Sequence, residues 1–285
     1  MQILFFHGLQ LVDYPDAHVL TWKSEDYYVI WPQKWLVEDF PGAQIFTISY
    51  NEGVANLDMF LVGENLTPDL IEGEIGQVPG CPVIMVGYCV GGLVTKEICL
   101  QAKKQFHSGK TSTIAKEKLG MFLENVRGIF FYGTPHRGSS LIDNVPDGPL
   151  FEYLKVLNKD AARLNEFFDD FRVLYPNWKV HGLGESLPTN AGNVVVPEAA
   201  ARYGHEFWIV NADHDTICRP RNKVDKRFYA LRNLIDSIIK NLEEVQEKAG
   251  VHETRPQNIQ PLPDEIVLSM LKCTQSWSSG IMLGN

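Results

Sequence analysis

The segment Val83–Leu93 constrains the fold more than any other part of this sequence. It opens with a short apolar run, which predicts a strand buried on both faces of a sheet. The run leads into Gly87-x-Cys89-x-Gly91, and a helical pattern follows over Leu93–Phe106. Only small residues fit beside the residue at the tip of a sharp strand-to-helix turn, which explains the two glycines. The segment therefore predicts a nucleophile elbow whose tip, usually a serine, is a cysteine.

Short β-type runs alternate with helical stretches along the 285-residue chain. Several runs are continuously apolar, so we expect a mostly parallel central sheet with helices on both faces, a three-layer α/β architecture. The lysine-rich segment Lys103–Lys118 is predicted to be a solvated loop between a helix and the next strand. The predicted strands are Gln2–Phe6, Gln44–Ile48, Val83–Val86, Gly128–Tyr132, Lys179–Leu183 and Glu206–Val210.

Composition divides the chain into a folded domain, residues 1–250, and a tail. Asp225–Lys248 is the clearest amphipathic helix, because its apolar residues recur at spacings of three and four. The tail, residues 251–285, is rich in Pro, Gln and Ser and is predicted to pack loosely, with a short helix over Asp264–Lys272. Residues 139–178 form an insertion rich in Phe and Leu, which is either a helical cap over the site or a core stripe.

The overall charge argues against one class of partner. The net charge is −9 and the isoelectric point is about 5.4, whereas binding a phosphate backbone needs clustered cations. Nucleic acid is therefore not an expected partner. No apolar run approaches the roughly 20 residues of a membrane span. Peripheral contact with a membrane surface stays open, as does the oligomeric state.

Cysteine usage indicates the compartment. The five cysteines form no C-x-x-C pair, so we predict neither a disulfide framework nor a zinc site, and Cys81 and Cys99 are expected to be inert. The N-terminal run Met1–Phe6 lacks a basic lead-in and is interpreted as a strand, not as a signal peptide. We expect a cytoplasmic protein that uses no metal and no cofactor.

A general base for Cys89 is expected near the end of the domain, because the chain order in such folds is nucleophile, acid, histidine. His214 follows the last predicted strand, within Asp-His-Asp, and fits this place. Metal ligation is the rival interpretation, but no other spaced set of His or Cys supports it. A helix N-terminus and a nearby imidazole both favour the thiolate form of a cysteine. His181 and His205 lie on or beside strands and are interpreted as structural.

The acid that orients the histidine is expected after the preceding strand. Glu185 ends that strand and is the first choice, while Asp143 and Asp147, one strand earlier, are the alternatives. Asp213 is adjacent to His214 in the chain and is badly placed to orient its ring.

The first predicted strand ends in Phe-Phe-His-Gly-Leu9. In a fold with an elbow, the loop after this strand supplies one amide of the oxyanion hole, and the residue after the nucleophile supplies the other. We assign these donors to Leu9 and Val90, each typically worth about 3 kcal/mol of transition-state stabilisation. His7 and Gly8 are predicted to line the pocket.

A further motif, Tyr132-Gly-Thr-Pro-His-Arg-Gly-Ser139, follows the fourth predicted strand. Its place at the carboxyl edge of a parallel sheet predicts that it forms a wall of the pocket. His136 in this motif and Tyr88 beside the elbow are therefore added to the predicted pocket residues.

These motifs together resemble a known family, the serine-active-site-containing esterases, which are related to the GPI inositol-deacylase-like lipases. The resemblance runs from about Gln2 to Leu242, and Thr-Pro-His-Arg-Gly-Ser is its most distinctive part. It implies an α/β-hydrolase fold, action on carboxylic esters that often carry lipid acyl chains, and the triad of Cys89, His214 and Glu185. The family carries Gly-His-Ser-x-Gly-Gly where this chain has Gly-Tyr-Cys-Val-Gly-Gly. The other matching segments are Trp22, Trp31-Pro32, Trp35-Leu36, Val195-Val-Pro197 and Asp213-His-Asp-Thr-Ile-Cys218.

Two functions follow from the sequence. The first is a thiol-dependent hydrolase of small-molecule or lipid esters, which works through a thioester on Cys89. The second is a binding or signalling module with a weak or inactive hydrolase site, since sulfur sits differently from oxygen against the oxyanion donors. A third possible function is that of an acyltransferase. A separate alternative is that an experimenter replaced a natural serine with Cys89.

Overall fold

A computed structural model describes residues 1–9, 16–50, 59–190, 192–204 and 206–248. Within them, six strands pair in parallel in the order β2-β1-β3-β4-β5-β6, which confirms the predicted sheet. The third, fourth and fifth strands are each two residues longer than predicted. The strands are β1 Gln2–Phe6, β2 Gln44–Ile48, β3 Val83–Tyr88, β4 Val126–Tyr132, β5 Lys179–Glu185 and β6 Glu206–Val210.

Helices connect the strands and cover the sheet. A π-helical segment, Pro32–Leu36, leads into the second helix, and a 3-10 turn covers Ser140–Asn144. The α-helices are α1 Ala17–Leu20, α2 Val37–Asp39, α3 Met59–Glu72, α4 Gly91–His107, α5 Thr113–Asn125, α6 Pro149–Arg172, α7 Glu198–Ala201 and α8 Lys226–Lys248.

The central strands are buried on both faces, as a parallel sheet between two helical layers requires. In β1, Leu4 and Phe6 join one core while Ile3 and Phe5 join the other, since successive side chains of a strand point to opposite faces. The core that contains Leu4 and Phe6, here called the first core, is covered by α3, α4 and α5. The second is covered by α8 and by buried tryptophans that precede β2.

The helix α8 confirms the predicted amphipathic pattern. Phe228, Leu231 and Ile235 are fully buried against the sheet in the second core. On the same face, Trp22 and Trp31 pack their ring edges on Phe5, with centroids 4.8 and 5.5 Å away. The tryptophans of the matching motifs thus fix the chain that connects β1 and β2 against the sheet.

The prediction of a loop over Lys103–Lys118 is correct only for residues 108–112 and is wrong for the rest of the segment. Helix α4 continues to His107, and α5 begins only a few residues later. The hydroxyl of Ser112 accepts a hydrogen bond from the amide of Ala115 at 3.2 Å, which caps the start of α5. The sequence of this segment looked like that of a solvated loop because it has lysines on the exposed sides of two helices.

Helix α6 lies within the inserted segment 139–178, and its two halves pack differently. Toward its C-terminus, Phe168 and Phe171 belong to the first core, together with side chains of the helices that cover the sheet. Toward its N-terminus, its side chains pack around the β3–α4 turn in a group that we call the elbow cluster. This cluster consists of Val90, Leu93, Tyr153, Leu154, Leu157, Ala161 and Leu164. The helix thus combines a core stripe with a cover over the turn, and movement of that cover as a cap stays a prediction.

Some predictions fall outside the described residues. They are the loosely packed tail 251–285 with its helix over Asp264–Lys272, and the structural role of His205. Within the part of the chain that is described, no helix is both long enough and apolar enough to cross a membrane.

The packing of α6 predicts a sharp contrast between neighbouring phenylalanines. Phe168 is fully buried, whereas the side chain of Phe167 is 48% exposed. We expect Phe168→Ala to lower the free energy of unfolding by about 3–5 kcal/mol, because it leaves a cavity in the first core. Phe167→Ala is the matched control and should cost under about 1 kcal/mol. Urea denaturation measures both, and equal small losses would contradict this packing.

Candidate active site

The β3–α4 turn holds Cys89 in a left-handed backbone conformation, with φ of +53°. This region is costly for a residue other than glycine and persists only where the surroundings impose it. Here the amide of Cys89 donates to the carbonyl of Tyr132 at 2.9 Å. A Cβ on Gly91 would lie 2.4 Å from the carbonyl oxygens of Phe6 and His7. The glycine pattern of the sequence thus reflects direct contact between this turn and the end of β1.

A histidine and a carboxylate meet at the same edge of the sheet. Glu185 is the last residue of β5, and His214 lies in the loop after β6. The Nδ1 atom of His214 lies 2.6 Å from one carboxylate oxygen of Glu185. The other oxygen accepts a hydrogen bond from the Val196 amide at 2.8 Å. Both side chains are almost completely buried, so the carboxylate holds the ring in a fixed orientation.

The other carboxylates considered from the sequence lie elsewhere. Asp213 accepts hydrogen bonds from the amide and the hydroxyl of Thr216, at 2.9 and 2.6 Å, and closes a local turn. Asp143 is in the 3-10 turn before α6. Glu185 is the carboxylate that contacts the His214 ring in the described structure.

The electrostatic surroundings of His214 are unusual. Burial alone would lower its pKa, but the negative charges of Cys89 and Glu185 outweigh burial and raise the pKa to about 10. The Nε2 atom is buried, and no nitrogen or oxygen of the described residues hydrogen-bonds to it. The ring therefore favours the imidazolium form at physiological pH.

Tyr88 links the elbow to the loop that carries the histidine. Its hydroxyl donates to the backbone carbonyl of His214 at 3.1 Å, and the two rings lie 5.3 Å apart. The sequence assigned Tyr88 to the pocket, and the structure places it against the histidine.

The loop after β1 passes directly over the elbow. A Cβ on Gly8 would lie 2.8 Å from the Cβ of Cys89, so only glycine fits there. Leu9 and Cys89 both pack against the elbow cluster, which contains Val90. Among the described residues, the amides of Leu9 and Val90 donate no hydrogen bond. The loop after β1 and the β3–α4 turn therefore each carry an amide without a hydrogen-bond partner among the described residues.

His7 supports this loop from beneath. Its ring stacks on Tyr50 with centroids 4.1 Å apart, and its Nδ1 donates to the Gly8 carbonyl at 2.8 Å. Burial lowers the pKa of His7 to about 4, so the ring is neutral at physiological pH. The hydroxyl of Tyr50 donates to the backbone carbonyl of His7.

His136 lies in the interior. It is fully buried, with its ring 4.6 Å from Phe131 and 4.8 Å from Tyr203. Burial and the positive charges of Lys96 and Arg137 hold its pKa well below the usual range. A binding role for His136 stays a prediction, since these contacts place its ring in core packing.

The motif that contains His136 ends beside a surface cavity of about 360 Å³. Arg137 and Ser139 line this cavity, whereas Cys89 does not.

Sequence reasoning overlooked Val196, although Val-Val-Pro was among the matching motifs. It also overlooked Tyr50, whose signal was its place two residues after a parallel strand.

The charge pairing at His214 yields a titration test. NMR of its ring protons should give a pKa near 10, and Cys89→Ala should lower it, because the mutation removes the charge that opposes burial. The raised pKa stabilises the fold fully below the unfolded histidine value of about 6.5, and this stabilisation is lost as pH rises through about 10. Cys99→Ala, a buried thiol in the first core, should leave the pKa unchanged. An identical pKa with and without Cys89 would contradict the pairing.

Known proteins resemble this chain in sequence and in backbone fold. The sequence matches no established family profile. It is 29% identical to the protein SERAC1 of Bos taurus and 28% identical to that of Homo sapiens, over 275 aligned residues and 85% of this chain. The alignment covers 39% of either relative, so the chain spans about two fifths of their length.

A solved structure has the same backbone architecture. The phospholipase PlaB from Legionella pneumophila, in complex with thio-NAD, superposes with a TM-score of 0.58 over 87% of this chain and 63% of that protein. The two sequences are 12% identical, so the likeness concerns the fold alone. The chain has the α/β-hydrolase fold and is similar in sequence to SERAC1.

Proposed function

We propose that this chain hydrolyses carboxylic esters with apolar acyl groups, with Cys89 as nucleophile, His214 as acid and base, and Glu185 as the residue that orients the histidine. The buried contact of 2.6 Å between Glu185 and His214 carries the proposal, because it fixes the ring while leaving Nε2 available. A nucleophile, a base and an orienting carboxylate are the parts that acyl transfer requires.

The first half-reaction forms a thioester. The thiolate of Cys89 attacks the ester carbonyl carbon, and the displaced electron pair moves onto the carbonyl oxygen. The amides of Leu9 and Val90 donate hydrogen bonds to that oxyanion. Collapse of the tetrahedral intermediate breaks the carbon–oxygen bond, and the leaving alkoxide takes the proton from Nε2 of His214.

The second half-reaction releases the acid. His214, now neutral, accepts a proton from water as the water oxygen attacks the thioester carbonyl. Collapse of this intermediate expels the thiolate of Cys89 and restores the pair of thiolate and imidazolium. The reaction consumes one water and yields one alcohol and one carboxylic acid, using the chain's own residues.

The substrate class follows from the apolar surroundings of the thiol. Leu154 and Leu157 of the elbow cluster face the turn, and Leu9 and Leu150 pack at its border. Apolar side chains around the thiol suit an alkyl chain, since small-molecule sites are lined mainly by hydrophobic and aromatic side chains. The phospholipase activity in the name of PlaB agrees with a lipid ester. Peripheral membrane contact and a cytoplasmic location stay predictions.

The test compares hydrolysis of short and long acyl p-nitrophenyl esters by the wild type, Cys89→Ala and Cys89→Ser. We expect Cys89→Ala to lower kcat/KM at least about 1000-fold, because the covalent route is lost. Cys81→Ala is the matched control. It removes a half-buried thiol just before β3, at the opposite edge of the sheet, and should leave the rate unchanged.

Three outcomes would contradict the thiol mechanism. If Cys89→Ala keeps the wild-type rate, another site performs the reaction. If no variant turns over any ester, the chain is a binding module with a hydrolase fold. If only Cys89→Ser is active, the scaffold is competent and sulfur is the defect.

A further inference from the structure

Tyr153 is the polar member of the elbow cluster. It lies near the start of α6 and is 8% exposed, next to Leu154 and Leu157, which pack toward the β3–α4 turn. Cys89 and Leu9 border the same cluster. The cover that α6 places over the turn therefore includes one phenol among aliphatic side chains.

The hydroxyl of Tyr153 differs from those of the other buried tyrosines. Tyr50 donates to the carbonyl of His7, Tyr132 to that of Arg227, and Tyr203 to the carboxylate of Asp169. The Tyr153 hydroxyl is buried and has no hydrogen-bond partner among the described residues. Buried hydroxyls are nearly always paired, so an unpaired one beside a nucleophile needs an explanation.

Charge at the elbow reaches this phenol. Burial, and after it the negative charge of Cys89, raise the pKa of Tyr153 well above its ordinary value. The phenol therefore keeps its proton at physiological pH and can only act as a neutral donor toward negative charge. Tyr203, whose pKa is also raised by burial, is influenced by Asp169 and Arg172 instead.

We propose that Tyr153 is a third donor of the oxyanion hole and hydrogen-bonds to the carbonyl oxygen of the substrate as the Cys89 thiolate adds to it. The proposal rests on the proposed ester hydrolysis. The proton stays on the phenol, and the oxyanion gains a partner from α6 in addition to the amides of Leu9 and Val90. Because α6 carries the donor, the cover over the turn becomes part of the catalytic machinery.

The test measures p-nitrophenyl ester hydrolysis by the full chain with Tyr153→Phe. Phenylalanine keeps the packing of the ring and removes only the hydroxyl. We expect kcat to fall about 100-fold, as for the loss of one oxyanion donor. KM should stay within about threefold, because the donor acts mainly on the transition state. The melting temperature should not fall, because the hydroxyl has no partner to lose.

Tyr203→Phe is the matched control. It removes a buried hydroxyl that does have a partner, the carboxylate of Asp169 at 2.6 Å. This variant should melt at a lower temperature yet keep the wild-type kcat per folded molecule, with the folded fraction measured by circular dichroism.

Wild-type kcat in Tyr153→Phe would overturn the inference, as would a loss explained by a smaller folded fraction. If Cys89→Ala is inactive while Tyr153→Phe is fully active, only the role of Tyr153 is rejected. If Cys89→Ala keeps the activity, or neither the wild type nor Cys89→Ser hydrolyses any ester, the proposed function fails and this inference fails with it.

Discussion

Contact between backbone and backbone at the β3–α4 turn is the constraint on which the site depends. Cys89 keeps its left-handed conformation because Gly91 lies against the end of β1 and Gly8 lies over the thiol-bearing carbon. No Cβ fits at either glycine without displacing backbone or Cys89 itself. The same contact brings the loop that carries Leu9 next to the turn that carries Cys89 and Val90. One steric arrangement therefore fixes both the strained turn and the position of the loop after β1.

The second half of the site is an electrostatic arrangement at the ends of β5 and β6. The Val196 amide holds one oxygen of Glu185, and the other oxygen holds Nδ1 of His214. Tyr88 fixes the backbone of the same histidine from the elbow. Because these groups are buried, their charges interact through little solvent, and the imidazolium form of His214 is favoured.

Topology explains why much of the fold and the candidate site could be predicted. Buried parallel strands are continuously apolar, and the elbow requires its glycines, so the sheet and the position of Cys89 follow from local sequence. His214 and Glu185 follow from chain order, because successive parallel strands end at one edge. Among the carboxylates, strand order favoured Glu185 but left Asp143 and Asp147 as alternatives, since excluding them needs the direction of the side chains.

Other features depend on packing that sequence periodicity does not reveal. Because the segment Lys103–Lys118 is rich in lysine, the buried apolar face of α5 was not recognised from the sequence. That face consists of Leu119, Phe122 and Leu123. His136 follows a strand, as pocket residues often do, yet it lies inside the core between aromatic rings. Helix α6 has one apolar stripe, but its two halves pack against different surfaces, the first core and the elbow cluster. The position of Tyr153 depends on this division, which periodicity does not reveal.

The most direct measurement of the central claim is mass spectrometry of the protein quenched with acid during turnover of a p-nitrophenyl ester. The account predicts a mass increase of one acyl group, located on the peptide that contains Cys89 and removed by neutral hydroxylamine, as expected for a thioester. An acyl group on another residue, or ester turnover with no adduct at Cys89 at any time after mixing, would contradict it.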